Sequence, residues 1–368
     1  MIPYLILFPC LAATVYQVLA IVACLSHLKR SRSAASWTPG VSILKPVSSA
    51  DEHFAEAIRT HAEIRYPEFE ILFGIRDRQD AAWAHIERLK AEYPRVQVRS
   101  VLSHTEAPNA KVGVLEDLAA EAKYPVWVVN DADISVPADY LSRLTATLAN
   151  PKIGLVTCLY RATASSAAGT VEALGVATDF APSALVAPYV GVREFGLGST
   201  LAFRSDVLVL IGGFAALRDY LADDYQLGKL IHARGFDVEM SDLTVSTHVG
   251  GSWREVWHHQ VRWARTIRIS RSGYFGLPVT NATFWALGAA IAGQWWVALG
   301  LLMVRMMTAL IAGVLVLRDP LTRKFWWLVP VRDLLGMAVW VAGATGKSAR
   351  WRGDRLRLDR SGRIVRRS

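Results

Sequence analysis

Hydrophobic residues follow two patterns along this chain. Near the ends they form long blocks, and between residues 40 and 280 they come as short runs separated by helix-like patterns. Residues 3–25 carry no charge, which at about 1.5 Å per residue suffices to cross a bilayer. A cleaved signal peptide would place a basic region ahead of a shorter apolar core. No basic residue precedes this stretch, so a retained transmembrane anchor is expected over residues 1–28. Residues 282–317, interrupted only by Arg305, and residues 325–346, containing Pro330, Arg332 and Asp333, are further apolar blocks. They predict membrane helices over 279–346, the first block being long enough for a tight pair of spans or for one span and an interfacial helix. Ionisable residues in such segments usually face protein or headgroups, so Arg305 and Arg332-Asp333 mark packing or a lipid-headgroup site.

In the interior, Val41 to Leu44, Phe69 to Ile75, Val96 to Leu102 and Val126 to Val129 read as strands. Helical patterns fall between them at Asp51 to Arg65, Ala81 to Tyr93 and Lys111 to Lys123, ending near Tyr66-Pro67, Pro94 and Pro125, where helices stop. This alternation predicts an α/β domain built of βαβ units on a mainly parallel sheet. The second half is less regular, with strands expected at Leu155 to Tyr160 and Ser199 to Phe203 and a helix at Asp224 to Arg234 closed by Gly235. Ser252 to Ile269 mixes Trp253, Trp257 and Trp263 with basic residues just before the membrane block. It is expected as an interfacial helix that also closes the active site.

The run Trp127-Val128-Val129-Asn130-Asp131-Ala132-Asp133 drives an apolar strand into an Asp-x-Asp pair. Ligands of α/β sheets bind beyond the carboxyl ends of such strands, and two adjacent carboxylates there call for positive charge. Mg²⁺ or Mn²⁺, held by one or two carboxylates and substrate phosphates, fits, so a nucleotide diphosphate is the implied partner. Asp77 follows the second strand, and Asp223-Asp224 opens a helix. Taken alone, that last pair would read as helix capping and dipole compensation.

Charge and cysteines refine the topology. Lys29-Arg30-Ser31-Arg32 follows the anchor, and the positive-inside rule then leaves the next domain in the cytoplasm, giving a multi-pass protein of the cell membrane. The tail, 347–368, has nine Lys or Arg against two Asp, so +7 of the formal +9 lies there. It reads either as solvated or as touching anionic lipid. With the excess charge so local, no nucleic-acid partner is expected. A cytoplasmic tail requires an even number of crossings after the catalytic domain, a parity the sequence leaves open. Cys10, Cys24 and Cys158 are too scattered for a disulfide framework or a zinc site.

Ser42-Ile43-Leu44-Lys45-Pro46, Pro108-Asn109-Ala110-Lys111, Asp131-Ala132-Asp133, Ala222-Asp223-Asp224-Tyr225 and Gln260-Val261-Arg262-Trp263 occur in this order. Together they resemble the ceramide glucosyltransferases, over roughly residues 40–275. The pattern also looks like the hopanoid-associated glycosyltransferases, with Gly154 to Tyr160 and Arg262 to Thr266 as further similar stretches. The resemblance implies a cytoplasmic domain of GT-A fold, a Rossmann-like mixed sheet flanked by helices, between N-terminal and C-terminal transmembrane helices. It implies an inverting, metal-dependent transfer of a sugar, glucose first, from a UDP-sugar to the hydroxyl of a lipid, with ceramide as acceptor. Asp77 would read the base region, Asp131 and Asp133 would hold nucleotide and divalent ion, and Asp224 would be the catalytic base. Arg262, with Lys111, would neutralise the departing diphosphate, and Trp263 would stack on sugar or acceptor. Asp223, Gln260 and Gly198 are candidate phosphate or acceptor contacts. One departure concerns His259, which stands where the family has Gln or Arg in Gln/Arg-x-x-Arg-Trp, so its place in the site competes with a surface reading shared with His258. Rival readings are transfer of N-acetylglucosamine to a hopanoid by the same residues, a processive polysaccharide synthase, which needs more spans, and an inactive membrane scaffold that keeps the fold.

Overall fold

The computed structural model describes residues 6–30, 37–47, 50, 52–270, 272–345, 348–351, 354–359 and 361–367. Its main sheet comprises β1 (Val41–Pro46), β2 (Phe69–Ile75), β3 (Gln97–Leu102), β4 (Val126–Val129), β5 (Ile153–Ala164), β6 (Leu201–Arg204) and β7 (Asp237–Val249). The spatial order is β3-β2-β1-β4-β6-β5-β7. β1 to β4 pair in parallel, β6 lies antiparallel to both β4 and β5, and β7 parallel to β5. The mainly parallel pattern is thus a mixed GT-A sheet.

Side chains alternate between its faces with the two-residue period of a strand. Val41, Ile43, Ile71, Phe73, Val126 and Val128 pack under Phe54–Ala62, Ala81–Glu92 and Tyr140–Leu148. Leu44, Leu72, Val129, Leu201 and Phe203 pack under Ala110–Glu121, Ser205–Leu210 and Asp223–Ala233. Helix starts follow local chemistry: Asp80 accepts from the Ala82 amide and Asn109 from the Lys111 amide, satisfying otherwise orphaned donors. Gly235, at φ 89°, ends the Asp223–Ala233 helix in the left-handed conformation glycine tolerates.

Two elements depart from expectation. β7 alternates half-buried and buried positions and lacks the continuous apolar run that marks a central strand. Ala167–Gly175 continues through a π-helical turn, Val176–Phe180, into Ala181–Val186.

Among the described residues, four helices are long and apolar enough to cross a membrane: Leu7–Leu28, Ala167–Val190, Trp295–Val316 and Pro320–Gly343. Ala167–Val190 leaves β5 and returns to β6 of the same sheet, so both its ends lie on the catalytic side. Its small residues Ala181 and Ala184 pack on Ala20, Ala23 and Cys24 of the anchor, the close approach that small residues permit between helices. Ala282–Ile291 and Trp295–Leu310 form a hairpin turning at Gly293 (φ 77°). The chain then comes back to β5, where the Arg161 guanidinium donates to the carbonyls of Leu317 and Arg318 at 3.3 Å each. The first apolar block therefore folds as a helical hairpin whose first arm has only 10 residues, short of a bilayer's thickness.

The described part of the tail is not merely solvated. β8 (Ser348–Trp351), β9 (Asp354–Leu358) and β10 (Ile364–Arg367) form a second, antiparallel sheet. The Ile364 amide donates to Asp219 O at 2.6 Å and the Leu221 amide to Gly362 O at 3.3 Å. These bonds dock the tail on the catalytic domain.

Candidate active site

The Asp-x-Asp pair sits where β4 ends, on a turn built from buried polar contacts. Lys45, fully buried in β1, donates from Nζ to Asp131 O at 3.0 Å and lies 3.3 Å from His61 Nε2. His61 Nδ1 donates to Ala57 O at 3.1 Å, which leaves Nε2 to accept from the ammonium. Burial lowers the Lys45 pKa to about 7, against the upward pull of Asp133 and Asp131. Asn130 donates to Tyr140 Oη at 2.8 Å and to Ser199 O at 2.7 Å, joining this turn to the strand entry that carries Gly198.

Lys111, at the start of its helix, joins two of the acidic features. Its Nζ lies 2.8 Å from Asp131 Oδ1 and 3.2 Å from Asp223 Oδ2. Burial would lower its pKa, but Asp131, Asp223 and Asp224 together raise it, so it stays charged. Asp223 also accepts from Asn109 Nδ2 at 3.3 Å. Asp133 is bonded by the Thr247 hydroxyl of β7; burial, then Asp131, push its carboxyl above the usual range. Asp224 accepts from the Gly198 amide at 2.9 Å and from its neighbour Tyr225 at 2.7 Å. Burial and Asp223 raise it to about 6 despite Lys111.

Gly198 is a contact between the two halves. Its amide serves Asp224 and its carbonyl accepts from the Asp131 amide at 3.3 Å. A Cβ there would stand 2.9 Å from Asp131 Oδ2 and 3.4 Å from Asp224 Oδ2, so glycine admits both carboxylates.

The amphipathic helix Trp253–Ser270 forms the opposite wall. Ser252 and Glu255 start it as a capping box, each accepting from the other's amide. Arg262, Trp263, His259 and Gln260 line the same cavity as Asp131, Asp133 and Asp224. His259 belongs to this wall and His258 is exposed. Glu172, buried in the Ala167–Gly175 helix, accepts from His259 Nδ1 at 2.5 Å and Gln260 Nε2 at 2.9 Å. The Gln260 carbonyl accepts in turn from Arg332 Nη2 at 3.1 Å, and the His259 and Trp263 rings lie 4.7 Å apart.

Asp77 does not join them. It follows β2, is exposed, accepts from the Gln79 amide in a local turn, and lies outside the cavity lining. Sequence reasoning missed Glu172, whose one signal is a carboxylate inside a long apolar stretch.

The cavity measures about 610 Å³ and continues from the carboxylates to Arg305, Arg332 and Asp333 in the membrane block. Arg305 and Asp333 form a buried pair, with contacts of 2.8 and 2.7 Å, so these positions combine packing with cavity lining. The donor set fits a divalent cation: Asp131 and Asp133 repel one another at the cavity, and Lys111 covers only one oxygen of the pair.

A mixed sheet with acidic residues at its carboxyl edge, an Asp-x-Asp turn and an Arg-Trp helix across the cavity defines a GT-A glycosyltransferase. The fold matches a mannosyltransferase from Pyrobaculum calidifontis, solved with GDP-Man and Mn²⁺, at TM-score 0.58 and 18% identity over 94% of this chain and 98% of that one. The chain matches the family described as glycosyl transferase family 21 over residues 5–364, and it belongs to that family. It is similar to ceramide glucosyltransferase 1 of Caenorhabditis elegans, at 25% identity over 57% of this chain and 44% of the relative. With ceramide glucosyltransferase 3 of the same organism the figures are 27%, 55% and 45%. The match thus spans less than half the length of these relatives.

Proposed function

We propose that this protein is a membrane-bound inverting hexosyltransferase that moves glucose from UDP-glucose to the primary hydroxyl of ceramide, on the cytoplasmic face of the cell membrane. The observation that carries the reading is the single cavity lined by Asp131, Asp133 and Asp224 on one side and by helices of the membrane block on the other. A soluble acceptor does not need such a wall. The named relatives, ceramide glucosyltransferases, support the donor and acceptor classes.

In this reading Asp224 takes the proton from the acceptor hydroxyl as it attacks the anomeric carbon, with inversion. Its place on the Gly198 amide orients one oxygen while burial keeps the carboxylate basic. Asp131 and Asp133 would hold Mg²⁺ or Mn²⁺, which when bound supplies positive charge against the diphosphate. Lys111 and Arg262 add to that charge from the protein side, and Trp263 offers a ring face to sugar or acceptor. Asp77, at the same edge of the sheet, is left to contact the base. Asp223 holds Lys111 in place, and Glu172 holds His259 and Gln260 on the wall.

Membranes containing the protein, incubated with labelled UDP-glucose or UDP-N-acetylglucosamine and with ceramide or a hopanoid, test this directly. Labelled glucosylceramide is the expected product. Transfer only of N-acetylglucosamine to the hopanoid would replace the reading, and no transfer by a protein that still binds UDP would favour the silent scaffold.

A further inference from the structure

The catalytic carboxylates occupy only one end of the cavity. At the other end, Tyr16 and Gln17 of the anchor, Asp179 and Ser183 of the Ala167–Val190 helix, and Asn281 and Arg332 of the membrane block bring polar groups together. Leu277, Met337, Val339 and Trp340 line the same cavity with apolar surface. A chamber with a polar cluster beside an apolar flank matches the head of an amphiphile.

Within this cluster the acidic groups are not equivalent. Asp333 is fully engaged by Arg305. Asp179 has no hydrogen bond or ion pair of its own among the described residues and is exposed to the chamber. The charges of Arg332 and Arg305 act on it. It sits in the π-helical turn Val176–Phe180, the irregularity that helices often adopt at functional positions. Gln17, buried and lining the same chamber, donates from Nε2 to Thr280 O at 3.1 Å, while its Oε1 has no partner. Two acceptors thus line the chamber without a hydrogen bond from a described residue, beside an Arg332 Nε–H that is itself unpaired, and for Gln17, which is buried, a missing partner is costly.

We infer that Asp179, assisted by Gln17, binds hydrogen-bond donors on the acceptor's head other than the hydroxyl that is glycosylated, and so selects lipids bearing an amide N–H or a second hydroxyl next to the reacting one. The inference rests on the lipid-acceptor reading. It makes Asp179 a specificity-determining residue, and a lipid with a single hydroxyl and no other donor a poor acceptor.

The test uses the full chain in lipid nanodiscs. A short-chain N-acylsphingosine is compared with its derivative methylated at the amide nitrogen and at the second hydroxyl, which keeps the reacting hydroxyl and loses both donors. Hydrogen bonds to a charged group carry about tenfold to hundredfold in an equilibrium, so methylation should lower wild-type kcat/KM by that factor. Asp179→Leu should lower it as much for the parent lipid and leave the derivative within about twofold, collapsing the discrimination. Asp179→Asn, which keeps one acceptor oxygen and the side-chain shape, should fall between. UDP affinity should stay unchanged in both variants, which shows that they fold. Equal losses on both lipids, or discrimination intact in Asp179→Leu, would overturn the assignment while leaving the enzyme reading standing. Failure of wild type to glycosylate any lipid would overturn both.

Discussion

Replacing Asp224 by Asn isolates the proposed proton transfer, because shape is kept and only basicity is lost. Two effects are expected, and they separate. The carboxylate accepts from Gly198 at 2.9 Å and from Tyr225 at 2.7 Å, whereas an amide can accept on one side only. One backbone N–H then faces an NH₂, at a cost of about 1–3 kcal/mol, which appears as lowered thermal stability. The chemical effect is larger. A positioned base contributes roughly 10²–10⁴-fold, which at about 1.36 kcal/mol per decade is roughly 3–5 kcal/mol of barrier. Initial rates with labelled UDP-sugar and lipid in nanodiscs should fall by that factor, while UDP affinity measured by calorimetry stays within about tenfold. The pH profile adds an independent reading. Burial and Asp223 raise the Asp224 pKa to about 6, so the base is protonated and inactive below that pH, and wild-type kcat/KM should fall with unit slope as pH drops through it. Added positive charge from a bound cation favours the carboxylate and moves this limb downward. Asp224→Asn should lose the limb along with the rate. A variant keeping more than about a tenth of the wild-type rate, or an unchanged limb, refutes the assignment of the base.

Asp131→Asn and Asp133→Asn should each weaken UDP-sugar binding in the presence of Mn²⁺ by at least about tenfold, and chelation should weaken wild type but have little further effect on the double variant; calorimetry with and without chelator reads both. Glu172→Gln keeps an oxygen in the place of the one that accepts from both His259 and Gln260 but loses the charge that strengthens those bonds, so kcat should drop about tenfold with UDP affinity unchanged; a loss confined to stability would mean that Glu172 is only structural. Breaking the buried Arg305 and Asp333 pair by Arg305→Met alone should destabilise by about 3–5 kcal/mol, and Arg305→Met with Asp333→Leu by clearly less, because no uncompensated charge remains; thermal unfolding in detergent measures the difference. Ending the chain at residue 347 removes Gly362, whose carbonyl accepts from the Leu221 amide, so hydrogen exchange should speed up at Leu221, while amides in β1 keep their protection.

How much of this was legible beforehand depended on distance along the chain. The run ending in Asp131-Ala132-Asp133 announced its strand and its carboxylates because strand burial and the turn after it are set by consecutive residues. The N-terminal apolar helix, the helix expected from Lys111 and the helix opened by Asp223-Asp224 were readable for the same reason. β7 was not, since a strand covered on only part of each face carries no apolar run. The basic tail was read from its charge, which says how it would solvate but not that Ile364 would bond to Asp219.

By itself, then, the sequence determined which segments are apolar enough to enter a membrane, the alternation that builds the sheet, and which residues could carry charge to its edge, because period, run length and side-chain chemistry are local properties. The tertiary structure alone decided which of those charges meet. Lys111 stands between Asp131 and Asp223 because two helices and a strand end converge there, and Asp77 stays apart because its turn faces solvent. Glu172 reaches His259 across 87 positions, and Asp179 enters the cavity through a π turn. Such contacts depend on how elements pack, and packing is fixed only when the whole core closes.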